Sequence, residues 1–341
     1  MSVTIKDVAK ETGLSLSTIS KYINGGSVRT YNKEKIDTAI DKLGFSPNAM
    51  ARGLRASKSF SIGLVLPFLK DGYQAQIAAK FENVLQEAGY TVVLCCHRDD
   101  IRLANEALRF LSERKVDGVI FNALPTENLD FDSLIHQNIP VVVYEQRIHP
   151  EWFDCITVDS AAGAYEAVEH LILQGYKRIA TITGDLKNNT AVERYRGYRR
   201  VLEDYCIPFD PRLVYEGHYD VTSGYNGLHA LWQLEDKPDA LFTANYHMCV
   251  GVLSAIQRLH IHIPSDLAIV TFDDMEFSQL VNPTLTSIKQ PIDQLIAAVT
   301  KVLFKRIDGD YTVPLTYLRI KPDLIVRNST PFKVAADKTG K

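Results

Sequence analysis

Residues 3–24 read VTIKDVAKETGLSLSTISKYIN, and the rest of the chain is organised around them. Ile5, Val8 and Ala9 recur at helical spacing, so Lys6 to Thr12 form a short amphipathic helix. Gly13 breaks it, Leu14 plugs a tight turn, and Ser15 is placed to cap a second helix from Leu16 to Ile23. Ile19 and Ile23 fall on the buried side of that helix, while Leu16, Ser17, Ser20 and Lys21 face outward. Two short helices joined by a tight turn containing Gly make the helix-turn-helix unit, whose second helix can lie in a DNA major groove. Small, hydroxylated and cationic outward side chains suit a groove better than a solvated face rich in Glu and Lys. An ordinary helical hairpin has the same periodicity, and geometry alone leaves both readings open.

The residues that follow decide between them. GGSVRTY is a glycine-rich loop, and a third helix runs from Asn32 or Lys33 to Leu43 with Ile36, Ala39, Ile40 and Leu43 turned inward. Gly44 stops it, and Phe45 can close a small core with Val8, Leu14 and Ile19. The succession DVA, S-x-S-T-I-S-x-x-I-N and SPN-A-x-ARGL, ending at Leu54, resembles the LacI/GalR family of bacterial transcription regulators, and the resemblance extends over nearly the whole chain. It implies a dimeric repressor whose ligand-binding core controls an N-terminal DNA-binding head. On that resemblance Leu16, Ser17 and Lys21 read bases, while Thr18, Ser20, Tyr22 and Asn24 mainly hold phosphates or the helix frame. The segment from Ser46 is too short to be a stable helix alone. The family makes it a hinge helix that folds when two copies meet in the minor groove. Leu54 is then the apolar wedge, and Arg52 and Arg55 are phosphate or groove contacts. An inert linker is the alternative.

Composition is consistent with a DNA-binding head on a globular body. Residues 1–60 carry ten Lys/Arg against five Asp/Glu, a charge of +5, whereas the remainder carries 28 against 36, or -8. At 341 residues and 46% hydrophobic content the chain can hold two or three packed units. No apolar run reaches membrane-helix length, MSVTIKD does not resemble a signal peptide, and the five cysteines lack CxxC or zinc-type spacing. The expectation is a cytoplasmic protein with reduced thiols and no membrane contact.

From Ser61 short apolar strands alternate with helices. Strands fall at 62–67, 91–96, 117–122, 140–145, 178–183, 212–216, 240–245 and 267–274. Helices fall at 75–88, 101–113, 131–137, 161–174, 194–204, 223–233 and 250–259. This is the pattern of a parallel doubly wound sheet, met twice. The fold expected is therefore an all-α helix-turn-helix head plus an α/β core of two Rossmann-like lobes, which the family resemblance makes periplasmic-binding-protein-like. It also implies three crossings between lobes, near 158–162, 286–291 and 319–324. The division is then 1–46 for the head and 47–60 for hinge and linker. The first lobe takes 61–160 plus 290–321, the second 161–289 plus 322–332, and 333–341 is a tail. Neither GxxxxGK[ST] nor GxGxxG occurs, and no nucleophile-and-base pair stands out, so no cofactor and no enzymatic activity are expected. HIH at 260–262, His247-Met248-Cys249 and Asp273-Asp274 do not bring enough ordered ligands for a metal.

Ligands of doubly wound sheets sit at the carboxyl ends of strands, and a cleft between two lobes is a typical small-molecule site. Those positions here hold Tyr73 after the first strand, and Asn188, Thr190 and Arg194 after RIATITG, with Arg194 opening a helix. Tyr219, Asn245 and Asp273 complete the set that the resemblance marks as effector contacts. A carboxylate facing an Arg or Asn, with an aromatic face between, suits a polyhydroxylated ring such as a carbohydrate. Two departures stand out: Tyr246 follows Asn245 where the family usually has Asp, and Glu145-Gln146 replaces a commoner Asp-containing pair. Family dimers use the outer helices of the first lobe and the equivalent face of the second, and a tail without leucine heptads favours a dimer over a tetramer. A regulator of this fold driven by a protein corepressor, and a solute-binding protein, are the alternatives. The second would lack residues 1–60.

Overall fold

The computed structural model describes residues 3–23, 26–45, 58–70, 72–122, 128–148 and 151–333. It divides into two units, residues 1–60 and 61–341. In the first, α1 (Ile5–Thr12), α2 (Leu16–Ile23) and α3 (Thr30–Leu43) bury Val8, Ile19, Ile36 and Ala39 together. Leu14, Ile23, Ile40, Leu43 and Phe45 pack around that cluster. Helix α1 ends on Gly13 at φ 69°, a left-handed turn glycine adopts without strain. The Ser15 Oγ accepts from the Thr18 N–H at 3.3 Å and so caps α2. Helix α3 begins at Thr30, ahead of the Asn32 or Lys33 expected. Its polar first turn gives apolar periodicity nothing to register.

In the second unit the strands are β1 (Ser61–Leu66), β2 (Thr91–Cys96), β3 (Gly118–Asn122), β4 (Val141–Tyr144), β5 (Asp154–Val158) and β6 (Ile179–Thr183). They continue with β7 (Val214–Glu216), β8 (Ala240–Thr243), β9 (Ala268–Phe272), β10 (Thr286–Lys289), β11 (Tyr317–Ile320) and β12 (Asp323–Ile325). The helices are α4 (Gly72–Glu87), α5 (Ile101–Glu113), α6 (Asp132–His136), α7 (Ser160–Leu173) and α8 (Asn189–Asp204). After them come α9 (Val221–Trp232), α10 (Tyr246–Leu259), α11 (Phe277–Leu280) and α12 (Ile292–Ile307).

Two sheets result, in the orders β11-β5-β4-β3-β1-β2 and β12-β10-β9-β8-β6-β7. The pairs are parallel except β10 with β12. Buried on both faces, strands such as GVIFN and AIVTF read as continuous apolar runs. The first sheet has α4 and α12 on one face and α5 on the other. The second has α9 and α10 on one face and α7 and α8 on the other. The chain passes between the sheets after β5, after β10 and after β11. Six elements, β5, α11, β10, α12, β11 and β12, are not among those the spacing predicts. DCITV carries an Asp, a Cys and a Thr in five residues, and α12 lies beyond the regular alternation.

Three helices start about a turn earlier than apolar spacing suggests: α4 at Gly72 instead of Ala75, α8 at Asn189 instead of Arg194, and α10 at Tyr246 instead of Val250. Each missed turn follows the carboxyl end of a strand and carries residues that line a cavity: Tyr73 and Gln74 on α4, Thr190 on α8 and His247 on α10.

Candidate functional site

The carboxyl ends of both sheets face a cavity of about 650 Å³. Tyr73, Asn188, Thr190, Arg194, Tyr219, Asn245 and Asp273 all line it. Their roles within the protein differ from one another. Arg194 does not open α8 but sits in its second turn, buried, with its guanidinium 3.6 Å from the Phe272 ring centroid and Nη1 donating to the Ala244 carbonyl. Asn188 is the cap of α8, accepting from the Thr190 N–H at 2.8 Å. Asn245 caps α10, accepting from the Met248 N–H at 3.0 Å, and donates to the Tyr219 carbonyl at 3.2 Å. Both asparagines therefore hold backbone as well as facing the cavity.

A hydrogen-bonded relay joins the lobes. The Tyr73 hydroxyl donates to Gln290 Oε1 at 2.8 Å, and Gln290 Nε2 donates to Asp273 Oδ1 at 2.6 Å. The second Asp273 oxygen lies 3.4 Å from the Tyr246 N–H that donates to it. Its neighbour Asp274 turns away to Arg327, at 2.7 and 3.0 Å, and to Ser287. The two carboxylates therefore do not form a metal pair. His262 likewise bonds Asp266.

Glu145, Tyr219 and Asp273, each just past a strand, hold φ of 64°, 60° and 73°. Non-glycine residues seldom adopt these values, and they gather where surrounding structure fixes a functional side chain. The Tyr219 ring lies where a side chain at Gly184 would stand, 2.3 Å from a notional Cβ, so only glycine leaves it room.

Glu145, Asn122, Gln74 and Gln290 also line the cavity and were absent from the expected contacts. The strand-end rule that found Asn245 and Asp273 applies equally to Asn122 and Glu145. Glu145 Oε2 accepts from Asn122 Nδ2 at 2.6 Å and from Gln74 Nε2 at 3.2 Å. Burial pushes its carboxyl above the usual range, against the opposing pull of Tyr73, Asn122 and Gln74. Burial also raises the Tyr73 hydroxyl well above its ordinary value and the Tyr219 hydroxyl to about 12, so both are protonated at neutral pH. Among the described residues, three buried polar atoms around this cavity have no hydrogen-bond partner: Glu145 Oε1, Arg194 Nε and the Tyr219 hydroxyl. Each such atom costs about 1–3 kcal/mol, a penalty a bound ligand can relieve.

Native Glu145 holds its proton more tightly than the unfolded chain does. Its contribution to stability is full below the ordinary value of 4.5 and is lost as pH rises through the folded value. Glu145→Gln removes that loss while keeping an acceptor for Asn122 and Gln74. Its denaturation midpoint relative to the parent should rise between pH 4 and pH 8, and a pH-independent difference would contradict the assignment.

In the head, Leu16, Ser17 and Lys21 are exposed. The Thr18 hydroxyl meets Ser15 at 2.8 Å, and the Tyr22 hydroxyl donates to Asp37 at 2.6 Å. Tyr22 thus ties α2 to α3. Asn24, Arg52, Leu54 and Arg55, and most of the 47–60 hinge, lie outside the described residues.

A three-helix head and a two-lobe α/β core with a polar cavity define a DNA-binding regulator with a periplasmic-binding-protein-like body. The model of the lacI family of bacterial regulatory proteins matches residues 4–48, and that of the periplasmic binding protein-like domain matches 168–330. The PurR transcriptional repressor of Haemophilus influenzae is 33% identical over 331 residues, covering 96% of this chain and 98% of that one. Catabolite control protein A of Priestia megaterium is 29% identical over 332 residues, covering 97% and 100%. The Lac repressor dimer bound to operator and the anti-inducer ONPF superposes with a TM-score of 0.83 at 26% identity, covering 97% and 100%. The chain belongs to the LacI family and is a DNA-binding transcriptional repressor. Among the described residues no helix is long and apolar enough to cross a membrane.

Proposed function

We propose that this repressor binds a pseudo-palindromic operator as a homodimer and responds to a carbohydrate effector held between its lobes. The observation that carries the effector reading is the group of three unpartnered buried polar atoms, an acceptor, a donor and a hydroxyl, around one cavity. A polyol can pair with all three at once and lay its C–H face on Tyr219. A CelR transcriptional regulator, solved with cellobiose, is 28% identical with a TM-score of 0.72 and covers 96% of this chain, which supports the same ligand class. The moving parts are 61–160 with 290–321 and 161–289 with 322–332, coupled through 47–60 to the head of residues 1–46. Leu16, Ser17 and Lys21 contact bases. Thr18, Ser20, Tyr22 and Asn24 hold phosphates or the helix frame, and Arg52, Leu54 and Arg55 act in the minor groove. Such a regulator works in the cytoplasm.

The test is fluorescence anisotropy on a labelled pseudo-palindrome from the gene's own upstream region, at fixed salt. It is run with a panel of sugars, sugar acids, sugar phosphates and nucleobases. A sugar that shifts operator affinity supports the reading. A shift by nucleobases alone overturns the ligand class, and tight binding that no compound shifts favours control by a protein partner.

A further inference from the structure

Tyr246 follows the helix cap Asn245, and the effector reading gives it no task. It is the first residue of α10 in the second lobe, buried to 8% exposure, yet its ring joins the apolar cluster of the first lobe, beside Met275 and Phe277. Its hydroxyl accepts from the Gly72 N–H at 2.9 Å. Gly72 is the first residue of α4, and the first N–H groups of a helix have no partner within the helix. Here the other lobe supplies one. The fit at Gly72 is close, since a Cβ there would lie 3.2 Å from Met275 Cε and 3.4 Å from the Tyr246 hydroxyl. The next two residues of that same turn, Tyr73 and Gln74, line the cavity and reach Gln290 and Glu145. From its backbone end Tyr246 donates to Asp273, a cavity residue of its own lobe.

We infer that Tyr246 is a positioning residue: it caps α4 from across the cleft, sets the spacing of the two lobes, and holds Tyr73 and Gln74 in register with Asp273. It acts at one end of the helix turn whose other contacts face the cavity, so lobe spacing and cavity geometry share one element. The consequence for DNA binding rests on the allosteric reading proposed above, whereas the consequence for the lobes does not.

The experiment compares the full-length parent, Tyr246→Phe and Gly72→Ala without any added ligand. Tyr246→Phe keeps the ring and removes the hydroxyl that accepts from Gly72; Gly72→Ala presses on the same contact from the other lobe. Hydrogen exchange is followed at the first turn of α4 and at the turns after β4 and β7, and operator affinity is read on the upstream pseudo-palindrome. Both variants should speed exchange in all three regions and change operator affinity roughly two- to tenfold, the range of one net hydrogen bond. Faster exchange confined to the first turn of α4 would reduce Tyr246 to a local cap and overturn the inference. Exchange altered in all three regions with unchanged operator affinity would keep the lobe strut and overturn its coupling to the head. Two folded variants indistinguishable from the parent in both measurements would overturn it entirely. If Gly72→Ala unfolds, Tyr246→Phe decides alone.

Discussion

Asp273→Asn should shift the effector response of operator binding to concentrations roughly 10- to 150-fold higher than in the parent. The carboxylate accepts from Gln290 on one oxygen and from the Tyr246 N–H on the other. An amide can satisfy only one of these as an acceptor. Its NH₂ then faces the Gln290 NH₂ unless Gln290 turns over, which would take its oxygen away from Tyr73. Asn tolerates the φ of 73° at this position, so the variant tests charge and hydrogen bonding and spares the backbone. Losing a charged hydrogen bond to ligand is worth about 1.5–3 kcal/mol, or roughly 10- to 150-fold in effector affinity. Titration of the active panel compound into parent and variant reads this directly, and an unchanged affinity would remove Asp273 from the effector site.

The second large effect belongs to the head. Ile19 is fully buried, one of four residues at the centre of a unit of sixty. Ile19→Ala should cost about 2–5 kcal/mol. A core this small supplies only a few kcal/mol in total, so the variant head unfolds and operator binding falls by more than about 100-fold. The α/β unit shares none of this core, and its thermal transition and effector binding should stay as in the parent. Ile19→Val, at about 0.5–1.5 kcal/mol, should retain most operator affinity. Operator binding by a folded Ile19→Ala head would contradict this account of its stability.

Repeating apolar spacing made most of the architecture legible: three helices in the head, then two rounds of strand and helix. Three helix starts that it missed share one physical origin. The first turns of α4, α8 and α10 carry Gly72, Tyr73, Gln74, Asn189, Thr190 and Tyr246, chosen for a cavity, a cap or a cross-lobe contact, so the apolar period starts late there. The same polar turns supplied the site signal. Strand-end reasoning together with the family resemblance picked out seven residues that line one cavity. It did not reveal that Asn188 and Asn245 are also helix caps, because apolar spacing starts α8 and α10 too late, or that Arg194 is braced on Phe272, a contact between segments distant in sequence. Strand β5 escaped notice because Asp154 enters it to pair with Arg306 of α12, at 2.9 and 3.0 Å. A buried ion pair leaves no apolar trace.

The measurement closest to the central claim is reciprocal titration: operator affinity with and without saturating effector, and effector affinity with and without saturating operator, at one salt concentration. If cavity and head are two sites of one coupled protein, both affinities must change by the same factor, and with the same sign. Typical couplings make that factor about 5–150. An effector that binds the cavity with an affinity indifferent to operator would contradict the account.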